Sequence, residues 1–279
     1  MSISVPWGIL SIRPSQPPGA DGRMAIGDHL RELRGRLVRS TLSLVVAFGV
    51  ALFFYDQLLD LVLAPYNQAR ETLGASTQTT AYVAGATGPL MLQLKLCGVA
   101  AVVASSPYWL YQIWAFVVPG LRREERRWSH VFAAVAGPLF IAGVATGYYV
   151  LPKGLAVLIG FTPAGLENLV EFGEYFSFLT RMLLVFGVAF EIPLFVIMLN
   201  LAGVVSGKAL GRHRAWIIIG TFVFAAVATP STDPFSMLML GLPMLVLFLV
   251  AEVVARVIDR SRGRRSKDVA VDDDEMSPL

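Results

Sequence analysis

The chain has 279 residues, 55% of them hydrophobic and only 15% charged, with a formal net charge of +3. A soluble domain of this size carries about a quarter charged residues, and here the apolar residues are blocked into long uncharged runs. Composition therefore excludes an ordinary soluble domain and points to a membrane protein with several spans.

Residues 1–24 contain a brief apolar stretch at 5–12, with no basic region before it and with Pro14, Pro17, Pro18 and Gly19 after it. That is a poor secretory signal, and the segment reads as a disordered cytoplasmic extension. Ile26, Leu30, Leu33 and Leu37 then recur at helical spacing, with Asp28 as a cap. An amphipathic helix is expected there, lying at the interface and running into a first span at 40–55.

The second span, 89–118, has 30 residues, or roughly 45 Å of helix, against a hydrocarbon core of about 30 Å. Pro107 should kink it, with Tyr108, Trp109, Tyr111 and Trp114 near an interface. A third uncharged run covers 131–151, and a fourth, 182–206, is broken only by Glu191. The fifth has 15 residues between Arg214 and Pro230, about 22 Å. Asp233-Pro234 supplies an N-cap and first-turn proline for a sixth span at 234–251. The expected fold is all-α, a six-span membrane domain at 25–258 with short fifth and sixth spans. A charged tail at 259–279 lacks apolar periodicity and reads as disordered.

With both termini inside, 19 of the 23 basic residues fall on the cytoplasmic side. Only Arg70 and Lys153 fall outside, and Lys95 and Arg181 lie at span edges. This follows the positive-inside rule at every loop. The lone Cys97 permits no intramolecular disulfide.

Few side chains are candidates for chemistry. Glu32 has an ordinary reading as an i,i+4 partner of Arg36, and Glu125 as one charge in a solvated loop. Glu191 is different, because a carboxylate at mid-bilayer costs at least about 2.5–3.5 kcal/mol and usually faces a partner or a wet cavity. Pro193 nearby frees a backbone carbonyl. It is read either as a functional group or as a protonated, buried one. A proton-coupled transporter built on Glu191 would need further ionisable groups facing it. An intramembrane enzyme would need a nucleophile–base pair or metal cluster, and neither is apparent, nor is a nucleotide-binding loop.

Four motifs carry a resemblance. His29-Leu30-Arg31-Glu32-Leu33-Arg34-Gly35-Arg36-Leu37 resembles the N-terminal signature of TatC, the multispanning receptor of the twin-arginine translocase. Ser106-Pro107-Tyr108-Trp109-Leu110-Tyr111-Gln112-Ile113-Trp114-Ala115-Phe116-Val117-Val118-Pro119-Gly120-Leu121, followed by Glu125-Arg126-Arg127, is similar to its second span and first cytoplasmic loop. Phe190-Glu191-Ile192-Pro193 matches its fourth span, and Ala228-Thr229-Pro230 with Asp233, then Pro243-Met244, its last two. The departures are the N-terminal extension, the charged tail and one extra residue between Pro230 and Asp233.

The resemblance implies a protein of the bacterial cytoplasmic membrane that receives twin-arginine signal peptides of folded cargo. Glu32, Arg34, Phe116, Pro119 and Glu125 would form the peptide site, and arginine pairs bidentately with carboxylates where lysine does not. It implies TatA-type and TatB-type single-span partners in a multimeric complex within the bilayer, with Glu191, Pro193 and Asp233 as polar or structural contacts. Pro65 would belong to a cap on the outer side. Export would draw on the proton motive force, with no cofactor, no metal, no catalytic residue and no nucleic-acid partner.

Overall fold

Helices dominate the computed structural model, which describes residues 26–74, 79–117, 126–163, 165–228 and 234–275. The expected extension at 1–24, together with Pro119, Glu125 and Asp233, lies outside the described residues. In chain order the elements are α1 (Ile26–Phe53), α2 (Tyr55–Leu73), β1 (Thr79–Tyr82), α3 (Gly88–Ala104), α4 (Ser106–Val117) and α5 (Arg126–Gly160). There follow β2 (Asn168–Glu171), α6 (Phe172–Phe190), α7 (Ile192–Leu201), α8 (Gly207–Arg212), α9 (Arg214–Ala228) and α10 (Pro234–Glu275).

Four stretches are long and apolar enough to cross a bilayer: Leu30–Phe53, Ala134–Gly160, Phe172–Leu201 and Pro234–Ser261. Helices α3 and α4 meet that requirement only as a pair, bent by 55°. The bend falls at Ser105, two residues before Pro107, where the kink is expected. Helix α9 is apolar with 15 residues, as anticipated for a short fifth element.

The sixth helix is not short. It has 42 residues, of which the apolar part, Pro234–Ser261, has 28. No proline interrupts the chain between Pro243 and Pro278, so nothing stops the helix at the membrane edge, and α10 covers most of the segment read as a disordered tail. A second unanticipated element is a parallel strand pair, with Thr79 opposite Asn168 through Tyr82 opposite Glu171. Each strand has only four residues, too few to show an alternating pattern.

Helix α1 is continuous from Ile26 to Phe53, so the amphipathic stretch runs without a break into the first span, as its spacing suggested. Its leucine stripe points away from the bundle, with Leu30 and Leu37 each about 60% exposed. In a bilayer the outer solvent is hydrocarbon, so the apolar stripe faces lipid and the polar stripe turns inward. Lys95 and Arg181 lie seven residues after the start of α3 and nine after the start of α6, within the helices themselves.

Two prolines show how the bundle tolerates missing backbone donors. Pro65, inside α2 and fully buried, leaves the Leu61 carbonyl without its i+4 N–H. The hydroxyl of Tyr148 in α5 donates to that carbonyl at 2.9 Å, and Tyr175 in α6 donates to the next one, of Val62, at 2.6 Å. At Pro107 the orphaned carbonyl is that of Val103, which accepts from Ser106 Oγ at 2.7 Å. Trp109 Nε1 donates to the neighbouring Val102 carbonyl at 2.9 Å. In each case side chains supply the donor that the helix lost.

Helices α5 and α6 are pressed together through glycines. A Cβ on Gly143 would stand 2.5 Å from the Phe186 carbonyl, and one on Gly187 would stand 2.6 Å from the Phe140 ring. Small residues four apart, here Gly143 and Gly147, permit such approach between membrane helices. The core around this seam holds Phe186, Leu179, Met182 and Leu151.

Replacing Tyr148 or Tyr175 by Phe strands one carbonyl while keeping the ring. Tyr175→Phe, at the buried bond, should lose about 1–3 kcal/mol, read as a lower thermal unfolding midpoint in detergent, and Tyr148→Phe, at an exposed carbonyl, should lose less. Unchanged midpoints in both would show that the carbonyls find other donors.

Candidate functional site

The polar stripe of α1 is built on Glu32 and Arg36. Arg36 donates through Nε to Glu32 Oε1 at 3.0 Å and through its second terminal nitrogen to the same oxygen. Its remaining terminal nitrogen donates to Gln112 Oε1 of α4 at 3.3 Å. Glu32 is thus the i,i+4 partner that its spacing suggested, but with its side chain only 22% exposed and tied to a second helix. Both donors go to one carboxylate oxygen. Among the described residues the other oxygen has no hydrogen-bond partner.

Phe116 lies four residues after Gln112, on the same face of α4 and half-buried. The structure therefore brings Glu32, Arg36, Gln112 and Phe116 to one side of the α1–α4 contact. Arg34 is exposed, about 200° around α1 from Glu32, and does not join them. Pro119 and Glu125 lie outside the described residues.

Helix α4 also reaches the second polar position. Glu191 stands at the break between α6 and α7, with the indole of Trp114 beside its carboxyl. Both carboxyl oxygens are buried, and among the described residues neither has a hydrogen bond of acceptable geometry. The break itself follows from Pro193, which is buried as the second residue of α7. Trp114 is in turn stacked on Phe132 of α5. Gln112 and Trp114, two residues apart, thus face two different carboxylates on opposite sides of α4. Asp233 lies outside the described residues. Among them, no group of three or more His, Cys, Asp and Glu side chains is placed to hold a metal ion.

Residues 28–243 match the family model described as the Sec-independent protein translocase protein TatC. The chain belongs to the TatC family. A protein of that name from Frankia casuarinae is 44% identical over 93% of this chain and 74% of its own length. Another, from Xylanimonas cellulosilytica, is 39% identical over 91% of each chain. The crystal structure of a twin-arginine translocase receptor, TatC, superposes with a TM-score of 0.69 at 28% identity, covering 82% of this chain and 98% of that one. Membership makes this a multi-pass membrane component of a protein translocase, and the helical bundle agrees.

One cluster escapes sequence reading. Glu252 of α10 is 1% exposed and accepts two bonds from Arg214, Nε to Oε2 at 3.0 Å and the terminal nitrogen to Oε1 at 2.8 Å. Arg256, one turn on, pairs with the same carboxylate. Lower on α10, Asp259 accepts from Asn200 at 2.8 Å and from the Gly207 N–H at 2.7 Å. The α7–α9 connection is thereby fastened to α10 at two levels. Gly207 is required for this approach, since a Cβ there would collide with the Arg256 backbone, while a Cβ on Gly211 would displace the Arg256 guanidinium. Glu252 and Arg256 are spaced i,i+4, but the pairing with Arg214 is not local.

Glu252→Gln should loosen this fastening by removing charge-assisted bonds worth about 1.5–3 kcal/mol each. Limited trypsin digestion should then cut at Lys208 or Arg212 well before the wild type is nicked. Equal cleavage rates would mean that the other contacts suffice.

Proposed function

We propose that this chain is the signal-peptide receptor and assembly subunit of a twin-arginine translocase, with both termini in the cytoplasm. The observation that carries the reading is the Glu32–Arg36–Gln112 bridge. It holds a half-buried carboxylate in a fixed orientation at the end of the bundle that the positive-inside rule assigns to the cytoplasm. Because Arg36 uses only one oxygen of Glu32, the second is available to an incoming guanidinium. Glu125, which follows α4 in the sequence, supplies the second acceptor. Two carboxylates held apart select two neighbouring arginines over lysines through paired, planar hydrogen bonds. Phe116 and Pro119 provide apolar surface beside them, and Arg34 stands on the outer face of α1. The six-span count with α9 as the fifth crossing, and a location in the bacterial cytoplasmic membrane, belong to the same proposal.

Glu191 serves the second half of this function. Its two buried oxygens lack partners within the described residues, a costly state in hydrocarbon. A polar side chain on a TatA-type or TatB-type single-span helix, docking beside α6 and α7, would satisfy them. Pro193 keeps the break open, and Asp233 and the α9–α10 region extend the docking surface. Pro65 stiffens the outer cap through its packing with α2 and Tyr148. Assembly of several such units, driven by the proton motive force, then moves folded cargo.

Two measurements test these assignments. Glu32→Ala with Glu125→Ala should reduce crosslinking of a twin-arginine signal peptide at least tenfold, the equivalent of about one charge-assisted hydrogen bond. Undiminished crosslinking refutes the peptide site. For Glu191, replacement by Gln should preserve co-purification of a single-span partner, whereas Leu should abolish it. Co-purification lost equally in both variants would require a charge at Glu191, and retention in both would remove it from the partner contact.

A further inference from the structure

On the face of the bundle near the strand pair, α3 and α6 border a cavity of about 450 Å³, within the range of about 300–1,000 Å³ typical of ligand sites. Lys95 reaches it from α3, and Glu171, Glu174, Ser177, Phe178 and Arg181 from α6 and its cap. On α6, Glu174, Ser177, Phe178 and Arg181 fall at i, i+3, i+4 and i+7, so they form one stripe.

The charges along this stripe are ordered by depth. Glu171 and Glu174 sit at the first turn of α6, at the bundle end that carries β1 and β2. Arg181 is nine residues further in, about 13 Å, and Lys95 is seven residues into α3, about 10 Å. Acid is at the rim and base is at the floor. Two cations at that depth are costly without a counter-charge. Among the described residues neither has a carboxylate within ion-pair distance. Glu171 is also committed elsewhere, since its carboxylate caps α6 by accepting from the N–H groups of Gly173 and Glu174.

We propose that this cavity binds the headgroup of a phosphoethanolamine lipid from the adjacent leaflet. In such a lipid the phosphate lies nearer the acyl chains, and the ammonium lies further toward water. That polarity matches the cavity from floor to rim. Lys95 and Arg181 take the phosphate, with Ser177 as a neutral donor, while Glu174 takes the ammonium. Phe178, between Glu174 and Arg181 on the stripe, supplies the apolar wall beside the headgroup. The match depends on depth alone and holds whichever side of the membrane this end faces. It therefore rests on membrane insertion and not on the signal-peptide site.

The full-length protein, purified in mild detergent and exchanged into nanodiscs of phosphatidylcholine containing a minority of phosphatidylethanolamine, provides the test. Native mass spectrometry after release should show phosphatidylethanolamine retained about tenfold over its share of the mixture, the effect of one charge-assisted hydrogen bond. Lys95→Gln with Arg181→Gln should lose retained lipid of both kinds, whereas Lys95→Arg with Arg181→Lys, which keeps both charges, should retain it. Glu174→Gln should still hold lipid but without preference for ethanolamine over choline. Excess inorganic phosphate should not displace the lipid. Retention at the mixture ratio in the wild type, or full retention in the charge-neutral pair, overturns the proposal. Displacement by inorganic phosphate would make free phosphate the occupant and overturn it equally.

Discussion

In the hydrocarbon interior every backbone carbonyl needs a donor from the protein itself, because no water is present to supply one. This chain places prolines within or beside apolar helices, and the arrangement of its core follows from how they are served. Pro107, in the spanning α3–α4 pair, draws serine and tryptophan donors toward its carbonyls, and Pro65, in α2 outside the apolar spans, is served in the same way by tyrosine. The Tyr148 and Tyr175 hydroxyls tie α2 to α5 and α6, so a local defect in one helix becomes a contact among three. The bend between α3 and α4 is held from within by Ser106 and Trp109. It can therefore be a fixed angle and not a flexible joint.

That fixed angle gives α4 its position. Because it departs from α3 at 55°, it lies between α1 on one side and the α6–α7 break on the other. Gln112 meets the Glu32–Arg36 pair, while Trp114 stands beside Glu191. One short helix thus borders both carboxylates to which the family reading gives separate tasks. A displacement of α4 on ligand binding at its Gln112 side would be felt at the Trp114 side without any longer route.

Much of this was legible in the sequence where the signal is local. Uncharged runs marked the spans, Pro107 marked the bend, and the Glu32–Arg36 spacing marked an ion pair. A carboxylate inside an apolar run singled out Glu191. What stayed hidden depends on partners distant in the chain. Gln112 looks like an ordinary polar residue until it is seen against Arg36, and Glu252 like a membrane-edge charge until Arg214 reaches it. The direction of the Leu30–Leu33–Leu37 stripe was also hidden, because periodicity shows that a helix has two faces but not which one meets the bundle. The strand pair was too short to leave a pattern. The length of α10 was missed because a lack of apolar periodicity was taken for disorder, although lysine, arginine and glutamate are good helix formers.

The glycine seam between α5 and α6 bears on how cargo crosses. A Cβ on Gly143 would collide with the Phe186 carbonyl and one on Gly187 with the Phe140 ring, so no thread of polypeptide fits between these two helices. A folded domain of a hundred residues has a radius of gyration of about 13 Å. An opening wide enough for such a domain therefore has to lie elsewhere than between α5 and α6.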